Sequence, residues 1–285
     1  MLVAQITDIH LGFDPDDPDE LNRRRLESAL ARLADMKPLP DLLIATGDLV
    51  DTGDDNVSYP RLREALSGLP FPVHLALGNH DSRGPFRAAF PEVPATDGGF
   101  IQYAIEDYPV RILVLDTLEE GRHGGGFCER RAAWLSERLA ELPDRPTLIA
   151  LHHPPIESGL PWMTENPEAR WVRRLKAIVA ANRNIVGMIS GHLHRPVVTS
   201  WAGTTLSVCP STAPQVALDL EGIDPERPDG RAMIVADPPW FALHVWTGEG
   251  VVSHFDTADE HDVIARYGAS FQPLVRLLLA EKGEA

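Results

Sequence analysis

The 285-residue sequence predicts an α/β (α+β) protein in which strands and helices alternate and the chemistry sits where strands end. Three observations carry that prediction. Short apolar runs such as Leu42-Leu43-Ile44-Ala45 alternate with longer stretches whose apolar residues recur at helical spacing. Several of these runs stop at Gly, Asp, Asn or His, which places polar groups at carboxyl ends of strands, where open α/β sheets hold their sites. A composition of 44% hydrophobic and 24% charged residues is that of a globular protein with a sizeable core, as one large domain or two.

Leu2 to Thr7 reads as a buried strand that ends at Asp8-Ile9-His10. Residues i and i+2 of an extended chain share a face, so Asp8 and His10 are expected to point at one site. Phe13 to Glu20 is an acidic, proline-containing loop. Leu21, Leu26, Ala29, Leu30 and Leu33 then mark a helix with arginines on its other face, ended by Pro38 and Pro40. Asp41 to Thr46 is a strand ending at Gly47-Asp48, and a short helix spans about Tyr59 to Leu66. The strand Val73 to Leu77 delivers Gly78-Asn79-His80-Asp81.

Phe100 to Ile105 and Val110 to Asp116 read as an antiparallel pair joined by Glu106-Asp107-Tyr108-Pro109. Gly124-Gly125-Gly126 is a flexible loop without the Lys-Ser/Thr of a nucleotide-binding loop. Glu129 to Leu142 is an amphipathic helix, and Thr147 to Leu151 a strand ending at His152-His153-Pro154-Pro155. Trp171 to Ala181 is a helix, and Ile185 to Ser190 a strand ending at Gly191-His192-Leu193-His194. Val197 to Trp201 and Thr204 to Val208 form a hairpin around Ala202-Gly203. The acidic piece Asp219 to Asp237 is an excursion from the core. A second hairpin pairs Trp240 to Trp246 with Val251 to Phe255, and a final helix covers about Ser270 to Glu281.

The net charge of −16, from 26 Lys plus Arg against 42 Asp plus Glu, argues against a nucleic-acid polymer as partner. A small anionic substrate stays compatible, because bound cations reverse the local sign. Cys128 and Cys209 form no disulfide framework, which fits reduced thiols in a cytoplasmic protein. Leu2 to Ile6 is too short for a secretory signal, and no apolar stretch reaches the roughly 20 residues of a membrane span. The expectation is therefore a cytoplasmic protein with no membrane partner.

Strand ends collect Asp8, His10, Asp48, Asn79, His80, Asp81, His152, His153, His192 and His194, including six of the 11 histidines. The other five (His74, His123, His244, His254, His261) stand singly and read as ordinary surface or core residues. Buried polar groups of this kind need a partner or an ion. Imidazole and carboxylate without thiolate suit Zn, Fe, Mn and similar ions, and a carboxylate can bridge two of them about 3.5–4 Å apart, the spacing used for hydrolysis at phosphorus.

Thr7-Asp8-Ile9-His10, Gly47-Asp48, Gly78-Asn79-His80-Asp81, His152 before Pro154, and Gly191-His192-Leu193-His194 follow the motif order and spacing of the calcineurin-like metallophosphoesterases, which this sequence resembles over residues 8 to 194. Within that superfamily it looks most like the bacterial cyclic-nucleotide (class III) and glycerophosphodiester phosphodiesterases. The short N-terminus, the doubled His152-His153-Pro154-Pro155 and the extended C-terminal part point there.

The resemblance implies a four-layer αββα sandwich of two mixed β-sheets flanked by helices. Residues 1–209 would be the catalytic domain. Residues 210–285, with Trp240, Phe241, Trp246, Phe255 and Phe271, would complete the second sheet and form a cap or dimerisation element of a homodimer or higher homo-oligomer. It implies two divalent ions, or Fe(III) with a divalent ion, drawn from Fe, Mn, Zn or Co. Asp8, His10 and His194 would hold the first and Asn79, His152 and His192 the second, with Asp48 bridging. His80 would stay off the metals as a catalytic residue, Asp81 would orient it or cap a following helix, and His153 would play a supporting or structural part.

The activity implied is hydrolysis of a small phosphodiester, a cyclic nucleotide or glycerophosphodiester, by in-line attack of a hydroxide bridging the metals. The His that glycerophosphodiesterases carry near Pro214-Gln215-Val216 is absent here. The alternatives are a phosphomonoesterase, protein phosphatase or nuclease on the same scaffold, and a non-catalytic metal-binding regulatory protein. The last would be expected to lose ligands, and all seven are present.

Overall fold

A computed structural model describes residues 1–259 and 261–283. In chain order the elements are β1 (Leu2–Ile6), α1 (Leu21–Ala34), β2 (Leu42–Thr46), α2 (Ser58–Leu66), β3 (Val73–Ala76), α3 (Arg83–Ala89), β4 (Tyr103–Ile105), β5 (Arg111–Val114), α4 (Glu129–Glu141), β6 (Thr147–Ala150), α5 (Arg170–Ala181), β7 (Ile185–Ser190), β8 (Val197–Trp201), β9 (Thr204–Val208), β10 (Gln215–Val216), β11 (Ile234–Val235), β12 (Trp240–Trp246), β13 (Val251–Thr257) and α6 (Gln272–Glu281). One sheet has the order β13-β12-β1-β2-β3 and the other β4-β5-β6-β7-β9-β8, both mixed, with β10 and β11 as a separate ribbon.

Period-two alternation divides each inner strand between two cores. Ile112 and Val114 of β5, with Leu148 and Ala150 of β6, face the first sheet and share a core with Leu26, Leu30 and Leu33 of α1 and Leu62 of α2. Their neighbours Leu113 and Ile149 face the other way, onto Leu135 and Leu139 of α4 and Leu175 and Val179 of α5. Helices therefore cover both outer faces, giving the four layers αββα. Each fully buried Leu or Ile contributes about 1.5–3 kcal/mol relative to exposure, which fixes which face of every strand turns inward.

Three features depart from the sequence expectation. The helix α3 was not foreseen, because Gly84 and Pro85 interrupt helical periodicity; Pro85 lies in its first turn, where no backbone hydrogen bond is lost. The excursion 219–237 returns as β11 against β10. The C-terminal hairpin completes the first sheet and not the second, since β12 pairs antiparallel with β1 in the register Leu2↔Val245 to Gln5↔Ala242. That pairing explains its aromatics: Phe241 is buried in the first core, and Trp246, partly buried, packs against that core.

Candidate metal centre

The sequence-predicted residues converge because their strands are neighbours. Asp8 and His10 follow β1, Asp48 follows β2 and Asn79 to Asp81 follow β3, side by side in one sheet. His152 and His153 follow β6, and His192 and His194 follow β7, side by side in the facing sheet. The route by which Asp8 and His10 meet differs from the extended chain expected. β1 stops at Ile6, and both residues are left-handed, with φ of 50° and 48°. Asp48, His192 and His194 are left-handed too, with φ of 47°, 73° and 49°, and Ala202 is the only other non-glycine in that region among the described residues. Such a conformation costs on the order of 1–3 kcal/mol per residue and persists only where the surroundings enforce it. Here Gly47 and Asp48 carbonyls accept the amides of Asp8, Ile9 and His10 at 2.8–3.0 Å.

The hydrogen-bond inventory leaves acceptors facing acceptors. His10 donates Nδ1–H to Asp51 Oδ1 (3.2 Å), His194 Nδ1–H to the Pro214 carbonyl (2.9 Å) and His152 Nδ1–H to the Thr46 carbonyl (2.8 Å). Each neutral ring then turns its Nε2 lone pair into the cluster. His10 Nε2 and His194 Nε2 lie 3.3 Å apart. His152 Nε2 lies 3.2 Å from Asn79 Oδ1 and 3.3 Å from Asp48 Oδ2, and His194 Nε2 is 3.3 Å from Asp8 Oδ1. Lone pairs converging this closely need positive charge between them, from a proton on an imidazole or from a bound cation. A tetrahedral ion with bonds of ~2.0–2.1 Å holds its ligand atoms about 3.3 Å apart, so the donor set fits. Asp8, His10 and His194 form one possible ion-binding group, and Asp8, Asp48 and His152 another.

The charges point the same way. Burial would raise the carboxyl groups, but His194 and His152 hold Asp8 at about 2, and His152 and His10 hold Asp48 well below the ordinary range. Burial would lower His152, yet Asp48 and Asp8 raise it to about 9. The carboxylates thus draw positive charge into a buried site. Burial and His152 push His192 down to about 3, and its ring has no hydrogen-bond partner among the described residues, which leaves it free to ligate.

Glycine makes room for these contacts. A Cβ on Gly78 would stand 2.2 Å from Asp48 Oδ1, and one on Gly191 would meet Asp8 Oδ2 at 2.7 Å. Gly78 is not left-handed, so space and not a special turn explains it. Gly47 needs both, with φ of 98° and His152 Nδ1 only 2.6 Å from a Cβ there.

Other sequence-predicted residues sort by their partners. His80 donates Nδ1–H to the Asp51 carbonyl (2.8 Å), and its amide binds Asp48 Oδ1 (2.8 Å). A ring nitrogen of His80 also lies within 4.8 Å of the ligand atoms of His10 and Asp48, closer to the cluster than expected for a residue off the metals. Asp81 neither orients His80 nor caps α3. Its carboxylate accepts the amides of Gly78 (2.8 Å) and Leu49 (3.2 Å) and the Tyr59 hydroxyl (3.0 Å), tying two strand-end loops together. Burial and Asp48 raise its pKa to about 7. His153 has a ring nitrogen within 4.8 Å of His152 and His192, but both its nitrogens have partners, Nδ1 accepting from the Thr117 hydroxyl (2.8 Å) and Nε2–H donating to the His123 carbonyl (3.1 Å), and ligating a metal would break one of these bonds.

Two residues at the site escaped the sequence reading. His123 Nδ1 accepts from Asn79 Nδ2 (3.2 Å), turning the amide oxygen of Asn79 into the cluster. Arg25, assigned to the solvent face of its helix, is buried and donates to the Thr212 (2.6 Å), Ala213 (3.1 Å) and Asp237 (2.6 Å) carbonyls. It thereby holds the segment whose Pro214 fixes His194. The Gly run after His123 was the only signal for the first, and the arginine-rich helix hid the second.

Comparison with known proteins agrees with this geometry. The calcineurin-like phosphoesterase family model matches residues 1–196. A probable cyclic nucleotide phosphodiesterase of Rhodopseudomonas palustris is 36% identical over 277 residues, covering 86% of this chain and 96% of the relative. A probable glycerophosphodiester phosphodiesterase of Arcobacter nitrofigilis is 32% identical over 262 residues, covering 89% and 92%. Among solved structures, a dimetal phosphatase from Danio rerio superposes with a TM-score of 0.67 at 14% identity, covering 91% and 97%, a likeness of fold. The strand-end cluster, the layered fold and these matches converge: the chain belongs to the calcineurin-like phosphoesterase family.

Proposed function

We propose that this protein is a metal-dependent phosphoric diester hydrolase acting on small phosphodiesters. The observation that carries the reading is the buried cluster in which the Nε2 atoms of His10, His152 and His194 and the side-chain oxygens of Asp8, Asp48 and Asn79 converge at shared points. The relatives named as cyclic nucleotide and glycerophosphodiester phosphodiesterases support a diester over a monoester. Asp8, His10 and His194 would hold one ion and Asn79, His152 and His192 the second, with Asp48 between them, the ions being Fe, Mn, Zn or Co. Bound there, the pair supplies Lewis-acid stabilisation of the phosphoryl oxygens and a water of lowered pKa.

The chain's own residues then do three things. Asn79 contributes a neutral oxygen, so the site keeps more net positive charge for the phosphate than a third carboxylate would leave. His80, with Nδ1–H held by the Asp51 carbonyl, keeps Nε2 as the nitrogen that, when the ring carries its second proton, can pass that proton to the leaving alkoxide. Asp81 and Tyr59 position the two loops that carry Asp48 and Asn79.

Apart from the β12–β13 hairpin, which completes the first sheet, the part beyond residue 209 would serve as a C-terminal cap or dimerisation element. The exposed Leu274, Leu277, Leu278 and Leu279 of α6 support a homodimer or higher homo-oligomer. No helix among the described residues is long and apolar enough to cross a membrane, which is compatible with a cytoplasmic location.

The test is turnover of 3′,5′-cyclic AMP, 2′,3′-cyclic nucleotides, glycerophosphoethanolamine and an aryl diester, beside a monoester, with Mn, Fe, Co or Zn added. Asp48→Asn is expected to lose the two-metal complement and activity together. Full turnover by that variant with one metal bound would refute the bridging role.

A further inference from the structure

Above the ligand cluster lies a cavity of about 420 Å³ whose walls have two characters. The floor is the polar set already described. Another part of the lining comes from three separate segments and is mainly apolar, built from Trp162, Met163, Val216 and Ile234, with the Thr164 hydroxyl beside them accepting the Ser158 amide (2.8 Å). Val216 and Ile234 are direct register partners in the β10–β11 ribbon, so they stand side by side on one face of it. Trp162 is 38% and Ile234 53% exposed, large apolar surface left uncovered beside a polar cleft. Isolated exposed apolar residues need no explanation, but several gathered on one cavity wall do.

The charge on that wall narrows what can lie there. Among the described residues no Lys or Arg lines the cavity, and none of them is placed to pair with a second anionic group on the substrate. The one carboxylate away from the floor, Glu165, spends Oε1 on the Gly125 amide at 2.7 Å, a contact that holds the glycine loop and with it His123. A cationic or polyhydroxy arm would meet mostly carbon on this side, at Trp162, Met163, Val216 and Ile234, with Glu165 Oε2 the one charged oxygen left to answer it.

From this arrangement we infer that the Trp162, Met163, Val216 and Ile234 wall is a subsite for the non-reacting arm of the substrate, and that it selects a planar, uncharged ring such as a nucleobase or aryl group. The inference rests on the phosphodiesterase reading above and refines it. Trp162 supplies the stacking surface, with the Val216–Ile234 pair and Met163 as its apolar surround. Stacking of one ring on one aromatic side chain is large enough to change binding by about ten-fold or more.

The experiment compares kcat/KM of the metal-loaded protein for cyclic AMP and an aryl methyl diester with that for glycerophosphoethanolamine. Trp162→Ala is expected to lower the ring-to-glycerol ratio about ten-fold through KM, and Trp162→Phe to restore it to within about two-fold. Calorimetry of AMP, phenyl phosphate and glycerol 3-phosphate gives a second readout that needs no turnover. Ring-bearing ligands are expected to bind more tightly, and Trp162→Ala to abolish the difference. An unchanged ratio in Trp162→Ala, or equal losses for ring and glycerol substrates, would overturn the subsite. Failure of the wild type to cleave any diester would defeat the phosphodiesterase reading, while the calorimetric arm would still decide the subsite. A nucleobase preference without an aryl preference would support the subsite and mark the nucleoside as its ligand.

Discussion

His80 shows how one contact divides neighbouring residues into different roles. Asn79 and His80 are adjacent, yet Asn79 Oδ1 faces His152 while His80 hangs by Nδ1 from the Asp51 carbonyl. Replacing His80 with Ala is expected to leave two metals bound while lowering kcat by ~10²-fold or more, the usual worth of a positioned general acid. Because a ring nitrogen of His80 lies near His10 and Asp48, metal analysis of the variant is the deciding measurement. Loss of an ion would make His80 a ligand. At this scale the sequence was informative where motifs repeat a ligand type at a strand end. It was silent on His123 and Arg25, whose contacts to Asn79 and to the Thr212 carbonyl span 44 and 187 residues. It also could not decide between two jobs for Asp81, and the carboxylate took a third.

At the level of elements, a buried polar chain runs beneath the site between strands of both sheets. Gln5 on β1 donates from Nε2 to Thr46 Oγ1 (2.8 Å) and the Ser190 carbonyl (2.9 Å), each two residues before a candidate ligand. Its Oε1 must then accept from His244 Nε2–H (2.9 Å), which makes Nδ1 of that ring the acceptor for Ser253 Oγ (2.8 Å). Burial, with His254 nearby, depresses His244 to about 3, so it stays neutral in the folded protein while the unfolded chain protonates near 6.5. Stability from this group is complete above about pH 6.5 and is lost as pH falls toward 3, by roughly 1.4 kcal/mol per pH unit. His244→Gln keeps a donor for Gln5 and is expected to flatten that part of the profile in urea unfolding at pH 7, 5 and 4. Identical acid sensitivity in both proteins would mean that His244 charges in the native state. The strands themselves were legible as apolar runs. Their order was not, since pairing of β12 with β1 joins residues about 240 apart and leaves no local signal.

For the whole molecule, the two-sheet sandwich was reached through motif order more than through strand counting, and the part beyond residue 209 was the least legible. Its hairpin is woven into the first sheet, while α6 has no buried residue. A helix carrying Leu274, Leu277, Leu278 and Leu279 in water is costly, and a second copy of the chain would cover them. Light scattering at micromolar concentration is expected to give a dimer or larger assembly. Leu277→Glu combined with Leu278→Glu is expected to reduce it to monomers that keep their metals. A monomeric wild type would remove α6 as an interface.

The left-handed backbone at Asp8, His10, Asp48, His192 and His194 has a consequence for how such a protein ages under mutation. Gly, and to a lesser degree Asn, takes that conformation more cheaply than the ligands do, so exchanges that ruin the metal centre relieve the fold. Selection for thermal robustness alone should therefore erase the enzyme first and leave its scaffold behind. Sequencing the survivors of a selection for folding without activity would show it, as Gly or Asn accumulating at those five positions ahead of the buried core. Only continued demand for catalysis keeps the costlier residues in place.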